Sequence, residues 1–421
     1  MEGRLNWAGN YQYGSSELLV PDSLDKVREL VVRHNRIRTL GSRHSFNGIA
    51  DTDGVQLSLR KLNRIIEVDQ VQNSVTVEGG ILYGELCRAL DEQGYALHNL
   101  ASLPHISVAG AIATATHGSG VKNAGLAAAV RSIELVTANG EVVVLTRDVD
   151  SEFEGAVVGL GALGVVTKLT LDLVPTYQIS QTVYEQLPLS ALDHGDIDEI
   201  FAAAYSVSLF INWESTTVNQ VWVKQKVEGE GGEASARTDF YGAASAISKL
   251  HPVPGQPALN CSEQLGVPGP WYERLPHFRM DFTPSAGNEL QSEYFVPRKH
   301  AYEALRALEG LRMDIAPLLY VSEIRTIATD AFWMSPCYQQ DSVGIHFTWR
   351  PDWESVRRLL PRIEQELAQF GARPHWAKLF TMEPGQVQAR FERLPDFRRL
   401  MQQYDPTGKF RNAFLDTYIN G

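Results

Sequence analysis

The chain is poor in several features that mark other protein classes. Its 421 residues include only three cysteines, Cys87, Cys261 and Cys337, widely spaced and in no CxxC or zinc-ligand array. Neither a disulfide framework nor a metal site is expected, and the usage fits a reducing compartment, the cytoplasm. Positive charge is scarce: Lys+Arg 38 against Asp+Glu 50 leaves −12, the wrong sign for displacing counterions from nucleic-acid phosphates. No apolar run approaches the about 18 residues of a membrane span, and the opening MEGRLNWAGNYQYGSSELL lacks the apolar core of a signal peptide. Repeats and low-complexity tracts are absent as well. What remains, 44% hydrophobic and 21% charged, can bury a sizeable core. At roughly 150 residues per domain the length fits two or three domains.

The first part of the sequence alternates between helix and strand patterns. Ser23 stands as a cap before 24–34, where Leu24, Val27 and Val31 share one helical stripe. Strands are expected at 36–40, 55–59, 64–68 and 74–78, and a helix at 83–92. Residues 131–145 read as a hairpin turning at Asn139-Gly140, the pair a type I′ turn prefers, and 165–174 alternates as a further strand. The character changes near 175–185. Beyond it, helices at 301–312 and 353–369 mix with strands at SEYFV, SEIRTIA and SVGIHFTWR, and the charged, Gly-rich stretch 225–238 reads as a surface loop.

One segment lacks charge altogether. From Gln93 to Val121 there is no Asp, Glu, Lys or Arg, only Ala, Gly, Ser, Thr, His and a few apolar residues. Pro and Gly break it too often for a transmembrane helix. Small residues let a backbone approach a ligand closely and present N–H groups to an anion. They equally suit a tightly packed buried interface, and composition leaves both readings open. Gly159-Leu-Gly161-Ala-Leu-Gly164 is the one GxGxxG in the chain. A dinucleotide fingerprint follows a strand and opens a helix. Here a helix precedes and a strand follows, so a close-packed turn is expected instead. The loop Gly41-Ser42-Arg43-His44-Ser45-Phe46-Asn47 follows a strand and can offer successive N–H groups to a pyrophosphate, although a lone loop histidine is commonly structural.

GSRHSFN (41–47), the run 101–120, GALGVVTKLTL (161–171) and HWAK (375–378) occur in an order that resembles the vanillyl-alcohol-oxidase-type FAD-binding oxidoreductases. Within them the chain is most similar to the alditol (xylitol/sorbitol) oxidase group, kin to the sugar-lactone oxidases. The likeness runs from about Asn6 to Gly421. It implies an α+β fold: a two-subdomain FAD-binding domain of the PCMH type over 1–177, and a cap with a large antiparallel sheet flanked by helices over 178–421. The segment from about 375 is expected to pack back on the FAD domain. The same resemblance implies FAD attached covalently through His44. Cys87 lies outside the motif a second, cysteinyl link would use. Further FAD contacts are implied at Gly41, Ser42, Ser45, Asn47, Ser102, Ser107, Gly110, Thr114, Thr116, His117, Gly118, Val165, Val166 and His375. Arg43 departs from the pattern, standing where many relatives carry Gly, which adopts positive φ without cost.

The substrate side can be read physically first. Glu323 and Arg325, His346 and Thr348, and Gln291 and Glu293 are i, i+2 pairs, each projecting from one face of its strand. On adjacent strands they would form a polar patch suited to a polyol. The solvent face of a half-exposed sheet gives the same pattern, but the apolar flanks Ile324, Ile327, Ile345 and Phe347 oppose it. Lys378 could serve as a base if burial lowered its pKa, with Trp376 and Phe380 as desolvating neighbours. Otherwise it is a surface lysine lying over Trp376. The resemblance implies Lys378 as catalytic base helped by His346, and Ser102, Gln291, Glu323, Arg325 and Thr348 as substrate contacts. The expected activity is oxidation of a polyol's terminal alcohol with dioxygen as acceptor, by a monomer free of nucleic acid and membrane. The alternatives are an aldonolactone oxidase or dehydrogenase, and a noncatalytic flavoprotein or carbohydrate-binding module.

Overall fold

Ser23 accepts a hydrogen bond from the Lys26 N–H and starts the helix Leu24–Arg33, whose buried stripe is Val27, Leu30 and Val31. These are the first features of the computed structural model, which describes residues 5–193, 196–227, 239–280 and 289–421. The helix covers a parallel three-stranded sheet with Val55–Leu57 between Glu17–Leu19 and Ile37–Thr39. Val27, Val31, Ile37 and Leu57 form a small core that Phe410, from the far end of the chain, completes. Nearby, the Asn412 side chain donates to the carbonyls of Gly48, Ile49 and Asp51. The C-terminal segment is thus fastened to the N-terminal sheet.

A second, five-stranded antiparallel sheet runs in the order Ile65–Asp69, Ser74–Glu78, Val165–Asp172, Val130–Val136, Val142–Thr146. The turn within the last pair differs from the expected type I′. Only Gly140 has positive φ, at 83°, and its N–H bonds to Thr137 O at 2.9 Å. That is a type I turn closed by a left-handed glycine, and it needs no positive φ at Asn139. The Gly159–Gly164 segment follows the helix Phe153–Val157 and leads into the strand Val165–Asp172, the order opposite to a dinucleotide fingerprint. A Cβ on Gly164 would meet Val136 O at 2.5 Å, so the turn is close-packed.

From Gln178 onward the chain builds one ten-stranded antiparallel sheet. Its central strands are Ser206–Ile211, Leu319–Ile327, Ser342–Trp349 and Leu290–Pro297, in that order. Side chains alternate between two buried faces. Ile324, Ile345 and Tyr294 lie in one cross-strand row. This face packs under helices Ala301–Glu309 and Trp353–Ala368, with Tyr294 Oη donating to Glu364 at 2.7 Å. The opposite face carries the polar pairs. A sheet buried on both sides leaves no solvent face for them. The stretch 225–238 falls, from residue 228 on, outside the described residues.

Candidate active site

A cavity of about 1050 Å³ is walled by the three sheets described above, the 41–46 loop and the uncharged run. Three distant segments meet at one edge of it. Phe46 N–H bonds to Ala377 O at 2.7 Å, and the Asn47 amide donates to the carbonyls of Trp376 and Lys378 at 2.9 and 2.8 Å. The N–H groups of His375 and Leu379 bond to the carbonyls of Glu293 and Gln291 at 3.0 and 2.9 Å. Asn47 therefore acts outside the cavity, holding the HWAK turn against the 41–47 loop and the sheet. His44 lines the cavity with its Nδ1 3.1 Å from Ser42 O and its ring stacked on Trp7 at 5.0 Å. Burial, together with Lys378, pushes the His44 imidazole down to about 4. Arg43 takes φ 66°, the left-handed conformation a glycine would hold there without strain.

Lys378 donates to the Gln291 side-chain oxygen, and its ammonium lies 4.8 Å from the centre of the Phe46 ring. Burial pulls its pKa down to about 8; Glu293 and Glu289 oppose the shift and Arg325 adds to it. The desolvating neighbours are not those expected. Trp376 packs tilted against Phe391 at 4.6 Å and donates to Met334 O, and Phe380 packs on Tyr418 at 4.9 Å. The turn at 376–378 breaks the strand alternation that would have placed them beside the lysine.

The polar pairs come together on the cavity face of the large sheet. Glu323 pairs with His346 and His346 with Glu293 in one row, and Thr348 pairs with Gln291 in the next. All but Thr348 are buried. Glu293, 2% exposed, is the hub. Its Oε1 accepts from His117 Nε2 at 3.1 Å and from Arg325 at 2.9 Å, and its Oε2 from His346 Nδ1 at 3.3 Å. Burial alone would raise the Glu293 pKa, but His117, Arg325 and His346 hold it well below the carboxylate range. Since Nδ1 of His346 donates, its Nε2 is the acceptor in the neutral ring. Arg325 also donates to Ser102 Oγ at 3.3 Å and lies beside Glu323.

Among known families, the FAD binding domain matches residues 17–146 and the D-arabinono-1,4-lactone oxidase family matches 286–418. An alditol oxidase of a Streptomyces species is 48% identical over 419 residues, spanning 99% of both chains. The chain belongs to the alditol oxidase family. L-Gulonolactone oxidase of Bos taurus is 29% identical over 98% of this chain and 97% of its own. The solved structure of a solvent-stable cholesterol oxidase superposes with a TM-score of 0.79 at 14% identity, covering 98% of this chain and 96% of that one, and so shares the fold. As a member of the alditol oxidase family the chain is a flavin-dependent oxidase acting on alcohols, and FAD is its cofactor.

The cavity wall fits that cofactor. Among the described residues Ser107 Oγ is buried without a hydrogen-bond partner, and a Cβ on Gly41 or Gly110 would meet it at 2.6 or 2.7 Å. Gly41, Ser42, Ser45, Gly79, Thr114 and Thr116 continue this surface of small and hydroxyl-bearing residues. Val166 and His375 line the same cavity, and the glycine turn adds Leu160, Gly161 and Gly164. Besides Asn47, two expected contacts stand apart, for packing reasons. A Cβ on Gly118 would meet Leu100 O at 2.3 Å, and the Val165 side chain is buried among Val136, Leu57 and Phe410. Strand alternation turns Val166 to the cavity and Val165 away from it. Two residues had no role assigned from the sequence. Glu293 was named with Gln291 as a same-face pair, but nothing local marked it as the hub. His277 donates to Glu323 Oε1 at 2.8 Å from a segment without periodicity, and left no signal.

Proposed function

We propose that this protein is an FAD-dependent alditol oxidase that converts the terminal primary alcohol of a linear polyol, such as xylitol or sorbitol, to the aldose, with dioxygen reduced to hydrogen peroxide. The observation that carries this reading is the pair of cross-strand polar rows facing the same cavity as Lys378. A polyol needs donors and acceptors at fixed positions, and rigid strands hold them better than loops do. Glu323 and the Gln291 side-chain oxygen accept from substrate hydroxyls, Arg325 donates to them, and Ser102 and Thr348 do either. FAD, when bound, supplies the two-electron oxidation, taking the hydride from the carbinol carbon and passing electrons to dioxygen. Lys378 accepts the hydroxyl proton as that carbon is oxidised. Its pKa near 8 leaves a useful fraction of free amine at neutral pH. His346, with Nε2 as an acceptor, shares the substrate hydroxyl.

In this reading residues 1–177 hold the FAD and 178–421 form the cap over it. His44 carries the covalent tether. Its support is a neutral imidazole at the cavity wall, fixed by Ser42 O and Trp7. Acid precipitation of the holoenzyme is expected to carry the yellow colour into the pellet, and His44→Ala to leave it in the supernatant. Colour in the supernatant from the unaltered protein would end the tether.

Anaerobic reduction of the bound flavin by a panel of polyols, sugars and lactones tests the activity. Xylitol and sorbitol are expected to bleach it fastest, with colour restored by air. The match of residues 286–418 to a lactone oxidase family makes aldonolactones the second substrate class. Bleaching by a lactone and by no polyol would give the site to that class. A colourless protein that takes up no flavin would overturn both.

A further inference from the structure

The Glu323 carboxylate is held from behind by a histidine outside the sheet strands. His277 Nε2 lies 2.8 Å from Glu323 Oε1, and the His277 N–H bonds to Ser102 O at 3.2 Å. Arg325 closes the circuit, with Nε 3.5 Å from Glu323 Oε1 and a bond to Ser102 Oγ at 3.3 Å. Ser102, His277, Glu323 and Arg325 therefore form a ring of contacts on the cavity wall. The imidazole has no freedom within it. Phe210 and Trp222 meet it edge-on at 5.5 and 5.2 Å, and the Lys224 ammonium stands 3.3 Å from its Nδ1. Lys224 is buried and donates to Leu275 O, with no carboxylate among its hydrogen-bond partners in the described residues. As Lys224 donates to Nδ1, the proton of the neutral ring sits on Nε2 and points at Glu323. Oε1 of Glu323 is thereby taken, while Oε2 accepts no hydrogen bond among the described residues.

We propose that His277, oriented by Lys224, is a positioning residue for the substrate. It locks Glu323 as an anion with one oxygen turned to the cavity, and so sets the acceptor that recognises a hydroxyl of the bound polyol. The inference rests on the alditol reading above. It explains why an aromatic box and a buried lysine are spent on a residue that need not touch the reacting carbon. Without the Nε2 donor, Glu323 can rotate toward Arg325 and withdraw that acceptor.

Two substitutions separate this role from packing. Asn in place of His277 keeps an amide near Lys224 but cannot reach Glu323. Gln reaches the position of Nε2 and can donate there. For flavin-loaded His277→Asn we expect KM for xylitol to rise roughly 10- to 100-fold, the scale of one hydrogen bond to a charged acceptor, with kcat falling by less than KM rises. His277→Gln is expected to recover KM to within about fivefold of the unaltered protein. A structural role would instead lower thermal stability in both variants and move kcat and KM together. Asn and Gln variants with the same KM, or an Asn variant at the unaltered value, would overturn the proposal. If either carries no flavin, Lys224→Met takes its place, and an unchanged KM there overturns it. Failure of the unaltered holoenzyme to be bleached by any polyol is a separate outcome and strikes the alditol reading itself.

Discussion

Lys378→Met is expected to leave a yellow, folded protein whose flavin is reduced by xylitol about 10²- to 10⁴-fold more slowly, the scale of a lost general base. Methionine keeps the length of the stem and its packing on Phe46, and removes only the amine. The His44 tether proposed above and the small-residue cavity wall lie on other segments, so cofactor content should be retained. The pH profile gives a second reading. Burial lowers the Lys378 pKa from 10.5 to about 8. A base must be deprotonated to act, so the rate of flavin reduction should climb with pH, bend near 8 and level off above it. The variant should lose that limb along with the rate. Stopped-flow reduction under nitrogen at several pH values measures both. A variant reduced at near-normal speed, or one that keeps the limb, would take the base assignment away from Lys378.

What the sequence made legible follows the range over which each signal acts. Helix starts and strand faces are local, and Ser23, Val27 and Val31 were readable because capping and periodicity are decided within a turn or two. The same-face pairs on three strands were equally readable. Their assembly was not, because nothing local says that Glu323, His346 and Glu293 share one row or that the opposite face lies under helices. Chemistry that depends on a turn escaped as well. HWAK reads as alternating residues, and the structure bends it so that Phe46, more than 300 positions away in sequence, desolvates Lys378 in place of Trp376. The glycine turn at 159–164 was correctly separated from the dinucleotide fingerprint by its order of helix and strand, yet it still contributes to the cavity wall. His277 marks the limit: its role comes from Lys224, Ser102, Glu323 and two aromatic rings drawn from four other parts of the chain.

Glu293→Gln should produce the largest loss of stability among single substitutions in the site. One buried carboxylate there satisfies His117, Arg325 and His346 together. Glutamine has the same shape, but one of its two acceptor positions becomes an N–H donor. Turned toward Arg325 and His117, the amide nitrogen meets two donors. Turned toward His346, it forces the proton of that ring from Nδ1 to Nε2 and removes the acceptor facing the substrate. Either way Arg325 keeps its charge without its nearest anion, and breaking a buried ion pair from one side costs about 3–5 kcal/mol. A melting temperature lower by about 3–6 °C at neutral pH follows. The sign of the pH dependence is fixed by the depressed pKa. Because the folded carboxylate titrates well below its unfolded value of about 4.3, its contribution is complete above that value and is lost as the pH falls through the folded one. The gap in melting temperature between the two proteins should therefore be widest near neutrality and shrink on acidification below about pH 4. A gap that stays constant with pH, or a variant as stable as the unaltered protein at pH 7, would mean that Glu293 is not the charge on which Arg325, His117 and His346 converge.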